Sequence, residues 1–258
     1  MIVRVLEGLI TDLRINEHFA EPVTYIANRA TIKGLTITGS NVSIVGGNIE
    51  AMDGANGFAA KGYGVNLRGA KNIRLSGLRI RNSDRGIVVD NCDGLIVDGC
   101  DVSVRQDGII ANRGQNYQFT NNRFHGFYPR PTRCLVGGEV RTGLAKRDCD
   151  ALGGVFTDGD HSDAIQIRNG IRNMVIAGNR VEGVHQGIGQ MDGSTDLPLD
   201  NVSVIGNDVR VAGFHSITIP RCSRLQVIGN TTEQLTGRRS LLRLDPTAVS
   251  RDNKVLSP

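Results

Sequence analysis

Gly86-Ile87-Val88-Val89-Asp90-Asn91-Cys92-Asp93-Gly94-Leu95-Ile96-Val97 holds two short runs of β-forming residues joined by a polar bend, and the unit returns along the chain. Its first run recurs as Gly64-Val65-Asn66-Leu67, Gly108-Ile109-Ile110-Ala111, Ala164-Ile165-Gln166-Ile167, Gly187-Ile188-Gly189-Gln190 and Ser216-Ile217-Thr218-Ile219. Its second recurs as Asn72-Ile73-Arg74-Leu75, Asn116-Tyr117-Gln118-Phe119, Asn173-Met174-Val175-Ile176, Asn201-Val202-Ser203-Val204 and Arg224-Leu225-Gln226-Val227. Two strands in a period of about 22 residues predict a solenoid of stacked coils. Alternation points Ile87, Val89, Ile109, Ala111, Ile165, Ile167, Ile217 and Ile219 inward, and Val88, Ile110, Gln166 and Thr218 outward.

Composition agrees with a coil. The chain has 33 glycines and no Trp among 258 residues, which suits many tight turns better than an ordinary globular core. One elongated domain accounts for the length, because a solenoid grows by adding coils. The net charge is +4, and the cations are mostly Arg, whose planar fork pairs with carboxylate, sulfate or phosphate. An acidic polymer is therefore a permitted partner. Nucleic acid is disfavoured, since aromatics for base stacking are scarce and no phosphate-loop motif occurs. No apolar run approaches the roughly 20 residues of a membrane span, and no secretory signal is visible at the start. An extracellular or virion-associated setting is expected over a cytoplasmic one.

The slot after each second strand is Asn at Asn122, Asn179, Asn207 and Asn230, with Leu78 and Cys100 in earlier coils. Stacked Asn side chains can exchange amide hydrogen bonds, so an Asn ladder is expected at this bend. On this repeat and ladder, roughly from Ala30 to Val255, the chain resembles the right-handed parallel β-helix superfamily. That superfamily includes pectate-lyase-like polysaccharide lyases, glycoside hydrolases, alginate epimerases and phage tailspikes. The resemblance implies an all-β, right-handed, single-stranded parallel β-helix and leaves the reaction open. The expected organisation is a cap over 1–29, coils over 30–125, an insertion over 126–162, and coils with a C-terminal cap over 163–255.

Two interruptions break the period: Gly108 to Ala164 and Gly187 to Ser216. Long loops beside one face of a solenoid commonly wall its groove. The first interruption holds Cys134 and Cys149, a pair suited to a disulfide that staples the loop, whereas Cys92, Cys100 and Cys222 read as small buried hydrophobes.

The residue before each first strand is Arg85, Asp107, Asp163, Gln186 or His215, extended one or two places back by Asp84, Arg105, Gln106, His161 and His185. With the insertion looped out, Asp107 and Asp163 fall on adjacent coils about 5 Å apart. Two carboxylates that close raise the pKa of one, which permits acid and base roles in one site. Asp107-Gly108 is equally a turn dipeptide. Turn-making does not, however, call for His161 beside Asp160 and Asp163. The run Asp158-Gly159-Asp160-His161-Ser162-Asp163-Ala164-Ile165-Gln166 also resembles a segment found in bacterial β-helix proteins of lyase and epimerase type.

The expected catalytic residues are thus Asp107, His161, Asp163 and Arg105, with Arg105 and Arg168 also suited to a uronate carboxylate. Gln166, Arg168, Arg85, His185, Gln186, His215 and Tyr128 are expected to bind substrate. His18 and His125 have no supporting partners in sequence. Asp158 and Asp160, with Asp163, offer hard oxygens that suit Ca²⁺, so the cofactor is either none or calcium. The leading expectation is a lyase or hydrolase acting on an acidic polysaccharide. The alternative is a glycan-binding or structural module such as a trimeric phage spike, using Tyr63, Phe127, Tyr128 and Phe214, and the weakest reading is a scaffold.

Overall fold

The computed structural model describes residues 2–51, 62–128, 133–157, 161–191, 197–213, 215–236 and 241–256. Their strands form one parallel solenoid of three faces. Face A stacks Tyr63–Arg68, the first halves of Arg85–Asp98 and Asp107–Thr120, then Asp163–Arg168, Gln186–Gln190, His215–Ile219 and Leu241–Leu244. Face B stacks Ser40–Val45, Lys71–Ser76, the second halves of the two long strands, Arg172–Ala177, Leu199–Ile205 and Cys222–Ile228. The sequence pattern did not mark face C, which runs from Asn48–Glu50 through Arg79–Ile80, Asp101–Val102, Arg123–Phe124 and Arg180–Val184 to Asp208–Val211 and Thr231–Gln234. Its strands are often two residues long, too short for alternation to be read.

Equivalent residues stack in register. Ile87, Ile109, Ile165, Ile188 and Ile217 form one inward ladder, all fully buried, and Leu95, Tyr117, Met174, Val202 and Leu225 form another on face B. Cys92, Cys100 and Cys222 lie in the same core. Outward-pointing Ile110 and Thr218 keep under a tenth of their surface, so face A is not an open sheet.

The Asn ladder is continuous. Nδ2 of Asn122 donates to Oδ1 of Asn179 at 3.0 Å, Asn179 to Asn207, Asn207 to Asn230 and Asn230 to Asn253, each at 2.9 Å. A second, exposed ladder opens face B, where Asn72 donates to Asn41, Asn173 to Asn116 and Asn201 to Asn173, all from left-handed backbone. The glycine that begins four of the six repeats has a different cause. A Cβ on Gly108 would stand 2.5 Å from the Ala164 carbonyl oxygen and 2.6 Å from Phe124, so the residue is small to let the next coil approach.

The ends depart from expectation. Residues 1–29 were expected to cap the coils, yet Ile2–Ile15 pairs in parallel with His18–Ile37 over all three faces and is itself a coil. The last described strand, Lys254–Leu256, pairs with face C and closes a further turn.

The insertion is a small unit of its own. Arg133–Val136, Glu139–Thr142 and Val155–Thr157 form an antiparallel sheet against the short helix Lys146–Ala151, and a disulfide joins buried Cys134 to Cys149. It begins later than position 126, because the Tyr128 N–H still donates to the Val104 carbonyl of the coil below.

Candidate functional site

Where face C turns into face A, Arg85, Gln106, Asp107, His161, Asp163, Gln166, Gln186 and Met191 line a cleft of about 270 Å³. The stacking of Ile109 on Ile165 places Asp107 and Asp163 side by side on adjacent coils. The Asp163 backbone N–H donates to Asp107 Oδ1 at 3.3 Å. Gln166 Nε2 donates to Asp163 Oδ2 at 3.0 Å, while Asp163 Oδ1 is buried with no hydrogen-bond partner. Arg85 approaches from the coil below, with Nε 3.4 Å from Asp107 Oδ2 and its guanidinium 6.0 Å from the Tyr63 ring centre.

Burial is the main force on both carboxyls. It pushes Asp107 up to about 7, helped by the charge of Asp163 and opposed by Arg85. Asp163 is also raised by burial, but its hydrogen bond from Gln166 and the nearby His161 and His215 hold it down. Both carboxyls are raised and they stand on adjacent coils, so their titrations are coupled and the pair holds a proton toward neutral pH. His161 and His185 approach within 4.8 Å between ring centres, and burial with the two neighbouring imidazoles keeps His185 below its ordinary value.

Of the expected catalytic set, the fold gathers Asp107, His161 and Asp163, with Arg85, Gln166 and Gln186 around them. His185 and His215 stand at the rim, where His215 Nδ1 lies 3.4 Å from Thr218 Oγ1. Arg105 does not join them. It is buried in a pair with Asp84, NH2 to Oδ2 2.7 Å, because its backbone sits on Ser83 of the coil below and its side chain follows Asp84. Tyr128 lies over that same pair, which, after burial itself, perturbs its hydroxyl. Arg168 ends its strand opposite Asn112, five residues or roughly 17 Å from Asp163. Among the described residues Arg85 is therefore the guanidinium of the cleft.

Met191 lines the cleft and was not marked by sequence; its signal is its place directly before the second interruption. Asp158, Asp160 and Phe214 lie outside the described residues. Among the described residues no three His, Cys, Asp or Glu side chains are gathered as a metal set, and no helix is long and apolar enough to cross a membrane.

Among curated proteins none matches the chain. Among solved structures it is similar to the Dettilon tailspike protein gp208, at 14% identity and TM-score 0.47, over 96% of this chain and 60% of that one. It is also similar to the A-module of the Azotobacter vinelandii mannuronan C-5 epimerase AlgE6, at 12% identity and TM-score 0.35, over 95% and 65% of the two chains. A third is the Agl-KA catalytic domain, at 11% identity and TM-score 0.25, over 99% and 59%. The chain spans less than two thirds of each of these structures. The family model for the right handed beta helix region matches residues 23–234, and with three parallel faces and a continuous Asn ladder the chain belongs to the right-handed parallel β-helix family.

Proposed function

We propose that the chain cleaves an acidic polysaccharide in the Asp107 cleft by acid-assisted hydrolysis. The observation that carries this reading is two buried carboxyls stacked on adjacent coils, with the Asp163 N–H donating to Asp107 and Gln166 donating to Asp163, where burial pushes Asp107 up to about 7. Asp107 gives its proton to the glycosidic oxygen as the bond to the anomeric carbon breaks. Asp163 remains ionised and stabilises the positive charge that grows on that carbon; water then adds to the carbon and gives one proton to the Asp107 carboxylate, which restores the acid. Gln166, Gln186 and His161 offer donors and acceptors to ring hydroxyls, and Arg85 offers a cation to a uronate carboxylate.

Hydrolysis rather than β-elimination is the reading because elimination needs an unprotonated base to take the proton beside the uronate carboxylate, whereas burial favours the protonated, acid form of Asp107.

A panel of uronate-containing polysaccharides tests the reading, with new reducing ends and new ultraviolet-absorbing unsaturated ends followed separately. Reducing ends without absorbance, lost in Asp107→Asn, are the expected result. Rising absorbance would replace hydrolysis by elimination. Retention of the polymers without either product would leave a glycan-binding module.

A further inference from the structure

Face C carries a second hollow, of about 280 Å³, lined by Arg123, His125, Gly126, Phe127, Glu182 and Gly183. His125 is held in place: its Nε2 lies 2.6 Å from Asp101 Oδ1, and Arg81 NH2 takes Asp101 Oδ2 at 2.7 Å. An imidazole fixed at one nitrogen presents the other in a set direction. Phe127 packs partly on the core and supplies an apolar wall.

The charge of this hollow is set by register. Arg123 lies directly between Asp101 on one neighbouring coil and Arg180 on the other. Asp101 is already committed to Arg81 and His125, and Arg180 has Glu182 at 3.5 Å. Exposed Arg123 makes no ion pair among the described residues and faces a like charge one coil away, an arrangement that disfavours the empty state and favours a bound anion. An apolar ring, a fixed imidazole and a guanidinium around one hollow suit a sugar carrying a carboxylate, while Glu182, held by Arg180, can accept only from its hydroxyls.

We infer that this hollow is a second, non-catalytic saccharide site, which anchors a carboxylate-bearing sugar outside the Asp107 cleft. The inference takes the polymer class from the proposed function and nothing else. Affinity electrophoresis of Asp107→Asn through gels containing polygalacturonate, alginate, hyaluronan or neutral dextran tests it. One acidic polymer is expected to retard the protein, dextran not. Adding Arg123→Gln, or separately Phe127→Ala, is expected to weaken that retardation about tenfold, roughly the loss of one favourable contact. Arg123→Gln in the wild-type chain is expected to leave cleavage of a short oligomer unchanged.

Thermal unfolding of each variant separates lost binding from lost folding, and Arg123→Gln keeps the test valid where Phe127→Ala fails to fold. Retardation unaffected by Arg123→Gln, equal retardation by dextran, or no retardation by any polymer overturns the inference. Arg123-dependent retardation in a chain that cleaves nothing would retain this site and remove the catalytic reading instead.

Discussion

Two stacks of like residues run up this coil and behave in opposite ways. In the buried ladder, each Asn from Asn122 to Asn230 donates to the amide oxygen of the next, and that oxygen also accepts the backbone N–H of the Asn below. Donor meets acceptor at every step. In the Asp107 and Asp163 stack both side chains only accept when ionised, so burial first, and repulsion at the same spacing second, leave a carboxyl oxygen without a partner and a proton held toward neutral pH. An amide repeated on adjacent coils builds structure, and a carboxylate repeated on adjacent coils stores chemistry at a cost in stability.

Exchanging an amide for a carboxyl, or the reverse, separates the two stacks most strongly. Asp107→Asn is expected to lower cleavage by about 10²- to 10⁴-fold, the usual worth of a general acid, while the fold persists. An assay of reducing ends with a thermal melt on the same sample checks both parts. Next in size, Asn179→Ala removes a side chain that donates to the Phe119 carbonyl at 2.8 Å and bonds both neighbouring ladder residues. At about 1–3 kcal/mol for each buried group left unsatisfied, a loss of roughly 3–5 kcal/mol is expected in chemical denaturation.

The two stacks also differ in how their stability depends on pH. Folding raises Asp107 from 3.8 to about 7, so between those values the folded chain binds more protons than the unfolded one. Stability from this group is therefore present at low pH and falls as pH rises through that window. Asp107→Asn escapes this loss. Its advantage over the wild type is expected to grow from pH 4 to pH 7 and then level, by something on the order of 3 kcal/mol. Melts at pH 4, 6 and 8 read it directly.

The smallest effect is confined to the insertion. Replacing Cys134 and Cys149 by Ser opens a closure of 15 residues, for which about 3 kcal/mol is typical. Because the coils carry their own core, hydrogen exchange is expected to quicken across 133–157 with the main melting transition unmoved.

Much of this was legible in the chain because the repeat acts as a ruler. Counting from one Ile to its equivalent placed Asp107 beside Asp163 across an interruption of more than thirty residues, and placed Asn122 on Asn179 in the same way. The ruler gives height along the coil and not the direction of a side chain at a corner. Arg105 stands two residues from Asp107, yet turns down to Asp84, and no alternation rule holds in the bend between two faces. His125 failed for a related reason. Its partner Asp101 is 24 residues away on face C, whose strands are too short to announce themselves. The first coil was missed because its repeat lacks the opening Gly-Ile pattern, although its strands stack like the others.

The claim that two stacked carboxyls share a proton is tested most directly by a ¹³C titration of the Asp side-chain carboxyls in the folded protein. One carboxyl, lost in Asp107→Asn, is expected to titrate near 7 and to shift when Asp163 is replaced by Asn. If every Asp carboxyl instead titrates below about 4.5, within the ordinary range, the pair is merely a turn and the account fails.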